Sequence, residues 1–266
     1  MKVLLQDVDT YETMTIRQAC LMNDIPVYRT SIDMLKHIFD FRVELLRGEI
    51  LPVGSVEFVT QCLNTMGITP NLGMDMFYTY PKFLEHYLHR KVIANMAGIA
   101  MMSAEEPIFV KPTLVKQFNG FVFVPGQAIE NYDEHDREQL NYLVNDGVSD
   151  VIYVSEVVQF VSEYRYYIDG DTILGSARYD PYGEDDAPEP DINVVREMVK
   201  LASLVFTNPQ YALDVGVLST GETALVECND GWALGLYKGA LTPKQYLDFL
   251  GKRWQGFVQN AIDKER

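Results

Sequence analysis

Three side chains in the last third of the chain could bind a divalent cation. Glu227 and Asn229 lie two positions apart in the apolar run TALVECN, so a strand would point both to one face and Cys228 to the other. Asp214 lies in the preceding apolar run, YALDVGVL, and the Ser-Thr-Gly turn between them would bring the two strands side by side. Oxygen ligands of this kind suit Mg²⁺. A solvated strand face is the alternative interpretation of this pattern.

Charged side chains that could bind a nucleotide occur earlier in the chain. Glu156 ends an apolar run and Glu163 follows seven positions later, so acceptors stand beside apolar walls that could enclose an adenosine. Arg165 lies two residues beyond Glu163 and therefore on the same strand face. Lys111 ends the strand-like run PIFVK and Lys116 follows in the next loop, where a lysine could meet phosphate. A strand-edge ion pair and a lysine extending into solvent are the alternatives.

The composition limits the classes of function. The chain has 266 residues, 47% of them hydrophobic, which indicates a folded core rather than disorder. A formal net charge of −16 disfavours sequence-independent binding to nucleic acid or to anionic membranes, so a nucleotide site must gather local cations. The three cysteines are odd in number and widely separated, which predicts neither a disulfide framework nor a zinc knuckle. We find no run of about 18 apolar residues and no signal-peptide pattern, and therefore expect a cytoplasmic protein.

The hydrophobic pattern predicts an α/β (α+β) chain of three lobes, which we place at residues 1–78, 79–157 and 158–266. The first lobe reads as βαβα, with strands near MKVLLQD, DIPVYR and LPVG, helices from about Thr13 to Asn23 and from Met34 to Leu46, and a helix capped by Ser55. The second lobe begins with a helix around PKFLEHYLHRKV and continues with strands and a polar helix near 134–145. The third opens with the hairpin EYRYYIDGDTILGSARYD and contains a helix over 192–206.

The order of these groups resembles the ATP-grasp superfamily. A strand ending in Lys-Pro, a loop with a glycine, an apolar strand ending in Glu, a Glu seven positions later, an Asp and, thirteen positions on, Glu-x-Asn follow one another between Ile108 and Tyr237. The runs near 109–120, EYRYYIDG and ARYD look most like a small phage-associated clade marked by one arginine and two lysines. The resemblance implies an ATP-grasp fold, in which a pre-grasp βαβα lobe precedes two α+β lobes that sandwich ATP.

The resemblance also implies a role for each candidate nucleotide-binding residue. Lys111 would contact the α- and β-phosphates of ATP, and Lys116 would add a phosphate contact from the lid loop. Glu156 and Val158 would receive the adenine edge, and Glu163 would bind the ribose. The family's glycine- and serine-rich lid is here TLVKQFNG, with a single glycine.

Metal binding and catalysis would fall to the remaining candidates. Asp214, Glu227 and Asn229 would coordinate two Mg²⁺ ions that bridge the phosphates. Arg165 and Arg178 would stabilise charge on the transferred phosphoryl group. The family's earlier phosphate-binding lysine has three candidates here: Lys82, Arg90 and Lys91.

The implied activity is that of an ATP-dependent carboxylate-amine ligase acting through an acylphosphate. Its partners would be small-molecule or peptide carboxylates and amines, and the location would be the host cytoplasm if the gene belongs to a phage. In-line phosphoryl transfer needs positioning and charge neutralisation rather than a protein nucleophile. Two alternatives stay open: an ATP-grasp kinase that phosphorylates a hydroxyl, and a non-catalytic nucleotide-binding protein that acts through its acidic surface.

Overall fold

The computed structural model describes residues 1–35, 41–68, 79–114, 117–180 and 186–264. These residues form three sheets with helices packed on their faces, which confirms the predicted α/β (α+β) class. Within these ranges, no helix is long and apolar enough to cross a membrane.

The first sheet is parallel and has the order β2-β1-β3. Its strands are β1 (Lys2–Gln6), β2 (Val27–Thr30) and β3 (Ile50–Val53). The accompanying helices are α1 (Tyr11–Met22), α2 (Ile32–Leu35), α3 (Arg42–Leu46) and α4 (Val56–Thr65). Ser55 caps α4 as predicted, because its Oγ accepts the Phe58 N–H at 3.2 Å. The predicted helix 34–46 corresponds to parts of α2 and α3, and its residues 36–40 lie outside the described ranges.

The second sheet is antiparallel, with the order β4-β7-β5-β6. Its strands are β4 (Val92–Met96), β5 (Ile108–Pro112), β6 (Phe121–Phe123) and β7 (Val151–Glu156). Helices α5 (Ala97–Ser103) and α6 (Glu134–Asn145) cover one face, and a 3-10 turn at Ile129–Asn131 precedes α6. Leu140 and Leu143 of α6 pack against Val110 and Ile152 in the core of this sheet.

The third sheet is antiparallel, with the order β11-β10-β8-β9. Its strands are β8 (Phe160–Asp169), β9 (Thr172–Arg178), β10 (Gln210–Leu218) and β11 (Thr223–Asp230). Helix α7 (Ile192–Val205) packs on one face of the sheet. Helix α8 (Pro243–Lys264) packs on the other side, against the first sheet and its helices as well as β10.

The region from Lys82 to Met96 differs from the sequence expectations. The helix predicted over PKFLEHYLHRKV is a 3-10 helix at Lys82–Leu88, and it ends because His89 adopts a left-handed φ of 50°. Residues 92–96 of the second sheet follow as β4. Leu84 and Leu88 pack in the core of the third sheet, although they were predicted to belong to the second lobe. The lobe bounds at 78 and 157 stay predictions.

Candidate functional site

Asp214, Glu227 and Asn229 converge on one face of the third sheet. The Asn229 amide Nδ2 donates to Asp214 Oδ2 at 3.2 Å and to Glu227 Oε1 at 2.9 Å. Cys228 points the other way, into the core beneath α7, as strand alternation predicts. Asp214 is only 2% exposed, whereas Glu227 and Asn229 are half-buried. The three side chains therefore meet at one point, where the Asn229 amide nitrogen contacts both carboxylates.

A β-bulge between β10 and β11 produces this convergence. Near the turn the strands pair regularly, with Val215 opposite Leu225, but the next pair is Asp214 with Glu227. Val226 is the extra residue. Without it, Asp214 would face Val226, and Glu227 would point to the opposite side of the sheet.

Arg90 holds the bulge from the side. Its Nη1 donates to the carbonyls of Leu88 and Leu225 at 3.0 Å each, and its Nη2 donates to the carbonyl of Val226 at 3.1 Å. Its guanidinium also lies 5.6 Å from the ring centroid of Tyr80. Of the three candidates for the earlier phosphate contact, Lys82 and Lys91 are exposed, and Arg90 is the one that reaches the strand bearing the convergent oxygens.

Two cations pair with the carboxylates of the convergent set. Arg165 on β8 donates from Nε and Nη2 to the two oxygens of Asp214, at 2.7 and 2.6 Å. Lys111 reaches across from β5 of the second sheet to form an ion pair with Glu227. Burial, which outweighs the attraction of Asp214, lowers the pKa of Lys111 to about 8. The site therefore combines groups from two sheets and balances its own charge.

The candidate adenosine-binding residues lie apart from Asp214, Glu227 and Asn229. Glu163 is partly buried on the same face of β8 as Arg165, and its Oε2 accepts the Tyr179 hydroxyl at 2.7 Å. Burial raises the pKa of Glu163, and the hydrogen bond from Tyr179 opposes that rise. Glu156 ends β7, where its Oε2 accepts the backbone N–H of Lys91 at 3.1 Å. Val158 lies in the segment that joins β7 to β8.

The structure does not bring Arg178 to the face that Arg165 occupies. Arg178 is paired with Tyr164 in the β8–β9 ladder, whereas Arg165 is paired with Ala177. Opposite residues in a ladder share a face and neighbours alternate, so Arg178 faces the side of the sheet that packs on α7. Its guanidinium forms an ion pair with Asp180 at 2.7 Å. Lys116, the predicted contact from the lid loop, lies outside the described residues.

Sequence reasoning missed Tyr179 and the stack that it forms with Tyr237 beside Arg165. The rings of Tyr179 and Tyr237 stack with centroids 4.9 Å apart and planes 12° apart. Tyr237 also lies over the Arg165 guanidinium, 5.0 Å from its Cζ to the ring centroid. Tyr179 follows directly after β9, in the run ARYD. Its partner Tyr237 lies 58 positions later in the chain, and nothing in the sequence indicated their contact. The end of β9 and the segment after β11 come together only in the folded protein.

A cleft of about 870 Å³ is lined by some of these groups, whereas Glu156 lines a separate depression with Lys91. Lys111 lines it from the second sheet, Arg165, Glu227 and Asn229 line it from the third, and Glu12 lines it from α1. Glu12 Oε1 accepts the backbone N–H of Leu236 at 3.2 Å, which joins the first lobe to the segment after β11. The cleft is large enough for a nucleotide together with a second ligand.

The donor set fits Mg²⁺. Two carboxylates and an amide oxygen are hard ligands, and Mg²⁺ commonly takes few protein ligands because phosphate and water complete its shell. The hydrogen bonds of Asn229 hold the three side chains within reach of one another. Within the described ranges, no group of three or more His, Cys, Asp or Glu side chains is placed to hold a metal; the proposed set has two carboxylates and an amide.

Comparison with solved structures shows the fold. A RimK domain protein ATP-grasp from Sphaerobacter thermophilus DSM 20745 superposes with a TM-score of 0.54 at 13% identity, covering 97% of this chain and 100% of that one. D-alanine–D-alanine ligase from Bacillus anthracis gives 0.52 at 12% identity, covering 98% and 99%. The ATP-grasp ligase PsnB, complexed with a phosphomimetic variant of its minimal precursor, Mg and ADP, gives 0.51 at 12% identity, covering 94% and 97%. The predicted ATP-grasp fold is confirmed.

Comparison with family models identifies the lineage. No curated protein sequence matches the chain. The model of the ATP-grasp domain, R2K clade family 2, matches residues 87–249, which is more than half of the chain and includes every convergent residue described above. The chain belongs to R2K clade family 2 of the ATP-grasp domains.

Proposed function

We propose that this protein is an ATP-dependent ligase that joins a carboxylate to an amine. One observation supports the proposal above all others. Glu227 and Asn229 on the third sheet line one cleft with Lys111 from the second sheet, and Asn229 also contacts the buried Asp214, so that groups suited to Mg²⁺ and to phosphate lie together. The solved neighbours with this fold include D-alanine–D-alanine ligase and the ATP-grasp ligase PsnB.

In this proposal ATP is a substrate and lies between the second and third sheets. Glu156, at the end of β7, and Val158, in the segment between β7 and β8, receive the adenine edge, and Glu163 accepts from the ribose. Lys111 contacts the α- and β-phosphates as a point charge. Asp214, Glu227 and Asn229 would hold two Mg²⁺ ions, and these would supply neutralisation of the phosphate charge.

The proposed chemistry has two steps. An oxygen of the substrate carboxylate attacks the γ-phosphorus and ADP leaves, which gives an acylphosphate. The amine nitrogen then attacks the acyl carbon, loses a proton and expels inorganic phosphate. We expect Arg165 to stabilise charge on the transferred group, because it lines the cleft while Asp214 accepts from its Nε and Nη2. The role predicted for Arg178 at the phosphoryl group stays a prediction.

The described residues offer no competing covalent chemistry from the cysteines. Cys20, Cys62 and Cys228 are buried and unbonded to one another. Burial raises the pKa of Cys20 to about 11 and that of Cys62 to about 12, so neither thiol ionises near neutrality. A direct transfer from ATP to the substrate agrees with these inert thiols.

The test measures Mg-ATP binding and acceptor-stimulated ADP release. Pools of amino acids, peptides and polyamines are offered to the wild type, to Glu227→Ala and to Glu222→Ala, a control in the exposed turn of the same hairpin. We expect stimulated release by the wild type and the control, loss in Glu227→Ala, and an amide product by mass spectrometry. A phosphoester product would instead show a phosphotransferase, and failure of the wild type to bind Mg-ATP would refute the proposal.

A further inference from the structure

The two residues directly after β9, Tyr179 and Asp180, hold Glu163 at its backbone and its side chain. The Tyr179 backbone N–H donates to the Glu163 carbonyl at 3.0 Å. The Glu163 N–H donates to Asp180 Oδ1, also at 3.0 Å. The Tyr179 hydroxyl then donates to Glu163 Oε2 at 2.7 Å. Glu163 is therefore fixed at both backbone groups and at one carboxylate oxygen.

Arg178 in turn holds the carboxylate of Asp180. Its Nε and Nη2 donate to Asp180 Oδ1 and Oδ2 at 2.7 and 2.8 Å, a two-point pair that fixes the plane of that carboxylate. The hydrogen bond from Arg178 holds the pKa of Asp180 below its usual range, so Asp180 remains an acceptor for the Glu163 N–H. Arg178 thus acts on the cleft face through Asp180, although its own side chain points to the other face.

The ring of Tyr179 is itself held in place. It stacks on Tyr237, whose backbone N–H donates to the Tyr167 hydroxyl at 3.0 Å. Tyr167 is fully buried and donates in turn to the carbonyl of Gly235 at 2.8 Å. A phenol fixed at its ring and at its hydroxyl leaves Glu163 little rotational freedom.

We propose that Tyr179 is a positioning residue for nucleotide recognition, which with Asp180 fixes Glu163 so that Oε1 accepts a ribose hydroxyl. The proposal rests on the proposed function, in which Glu163 faces the ribose. A carboxylate has two acceptor oxygens, and Tyr179 engages Oε2 from one side, which presents Oε1 to a ligand. Fixing the carboxylate in advance lowers the entropy lost when the ribose binds.

The experiment compares nucleotides that differ by one hydroxyl. Isothermal titration calorimetry in Mg²⁺ measures ATP, 2′-deoxyATP and 3′-deoxyATP binding to the full-length wild type, Tyr179→Phe and Asp180→Asn. Tyr164→Phe is the matched control, since it removes a hydroxyl from the opposite face of the same strand. Thermal unfolding of each variant establishes that it is folded.

We expect the wild type to bind ATP about tenfold more tightly than one of the deoxynucleotides, because a hydrogen bond to a charged group contributes on that order. Tyr179→Phe and Asp180→Asn should reduce this ratio by about threefold or more while binding the deoxynucleotide nearly as well as the wild type does. The control should keep the full ratio. A purely structural role would weaken all nucleotides by the same factor and leave the ratio unchanged.

Three results would overturn the inference. One is a ratio that both variants preserve, and another is a wild type that binds ATP and both deoxynucleotides equally. Each of these leaves the ligase proposal standing. The third is a wild type that binds no Mg-ATP at all, which overturns the ligase proposal as well and is thereby distinguished from the other two.

Discussion

Replacing Lys111 with methionine should make the protein bind a free divalent cation more tightly while it binds ATP less tightly. Lys111 forms an ion pair with Glu227, one of the proposed metal ligands. A cation that approaches Glu227 must therefore compete with the lysine ammonium. Methionine keeps most of the length and apolar contact of the lysine stem but removes the charge. The two affinities should move in opposite directions, which few other perturbations would produce.

The size of the effect follows from the partial burial of the pair. The Lys111 and Glu227 side chains are 23% and 21% exposed. Unit charges about 4 Å apart interact by about 4 kcal/mol at an effective dielectric constant of 20, but desolvation of the ions cancels part of this. Hydrogen bonds between charged groups contribute about 1.5–3 kcal/mol net. Since 1.4 kcal/mol is a factor of ten, Lys111→Met should raise the cation affinity by about 10- to 100-fold.

Mn²⁺ is a suitable probe because it shares the oxygen-ligand preference of Mg²⁺ and is detected directly by electron paramagnetic resonance. Free Mn²⁺ is titrated with wild type, Lys111→Met and the control Lys252→Met, which removes an exposed lysine paired with Asp169 outside the cleft. Calorimetry with Mg-ATP then measures the loss of nucleotide affinity. Unchanged or weaker Mn²⁺ binding by Lys111→Met would refute the competition between lysine and cation.

Three further predictions concern the supports of the site. Arg165→Lys should lower the free energy of unfolding in urea by about 2 kcal/mol, because lysine cannot make both hydrogen bonds to the buried Asp214 carboxylate, and an unchanged value would contradict this. Arg90→Lys should weaken Mn²⁺ binding about threefold or more, because lysine cannot donate to the carbonyls of Leu225 and Val226 in the planar geometry of arginine. A loss confined to ATP affinity would instead indicate a phosphate contact. Burial raises the pKa of Glu163 and the Tyr179 hydroxyl opposes this, so in Tyr179→Phe the ATP affinity should begin to fall at a higher pH as the solution is acidified from about pH 8 to about pH 5. Superimposable wild-type and variant profiles would argue against that linkage.

Much of the architecture was predictable because local patterns and tertiary packing agree. The Asp-Gly turn between alternating apolar residues predicted the β8–β9 hairpin, and Ser55 predicted the start of α4. The prediction of a helix over residues 81–92 was wrong in the helix type and in its end, because the apolar spacing of the run does not reveal that His89 takes a left-handed conformation. Helix α8 was not predicted, although its buried face completes the core of the first lobe.

The candidate site was predictable in its residue types and less so in its contacts. Alternation placed Glu227 with Asn229, and Glu163 with Arg165, correctly on common faces. The same alternation, applied to Arg178, puts it on the opposite face, but only once its register against Tyr164 is known. Register depends on the turn and on packing across the whole sheet, which sequence spacing alone does not determine.

The β-bulge shows most clearly why sequence spacing could suggest the metal site without deriving it. A regular ladder continued from the turn pairs Asp214 with Val226 and sends Glu227 into the apolar core beneath α7, where an unpaired carboxylate would cost several kcal/mol. The extra residue reverses this for every position beyond it, since a slip of one residue exchanges the two faces of a strand. Arg90 binds the carbonyls that flank the extra residue, and Cys228 fills the core position that Glu227 would otherwise take. The burial of Cys228 and the exposure of Glu227 to the cleft are thus two consequences of one register. Packing of the apolar core stabilises that register, and the same register puts Glu227 and Asn229 on the face of Asp214.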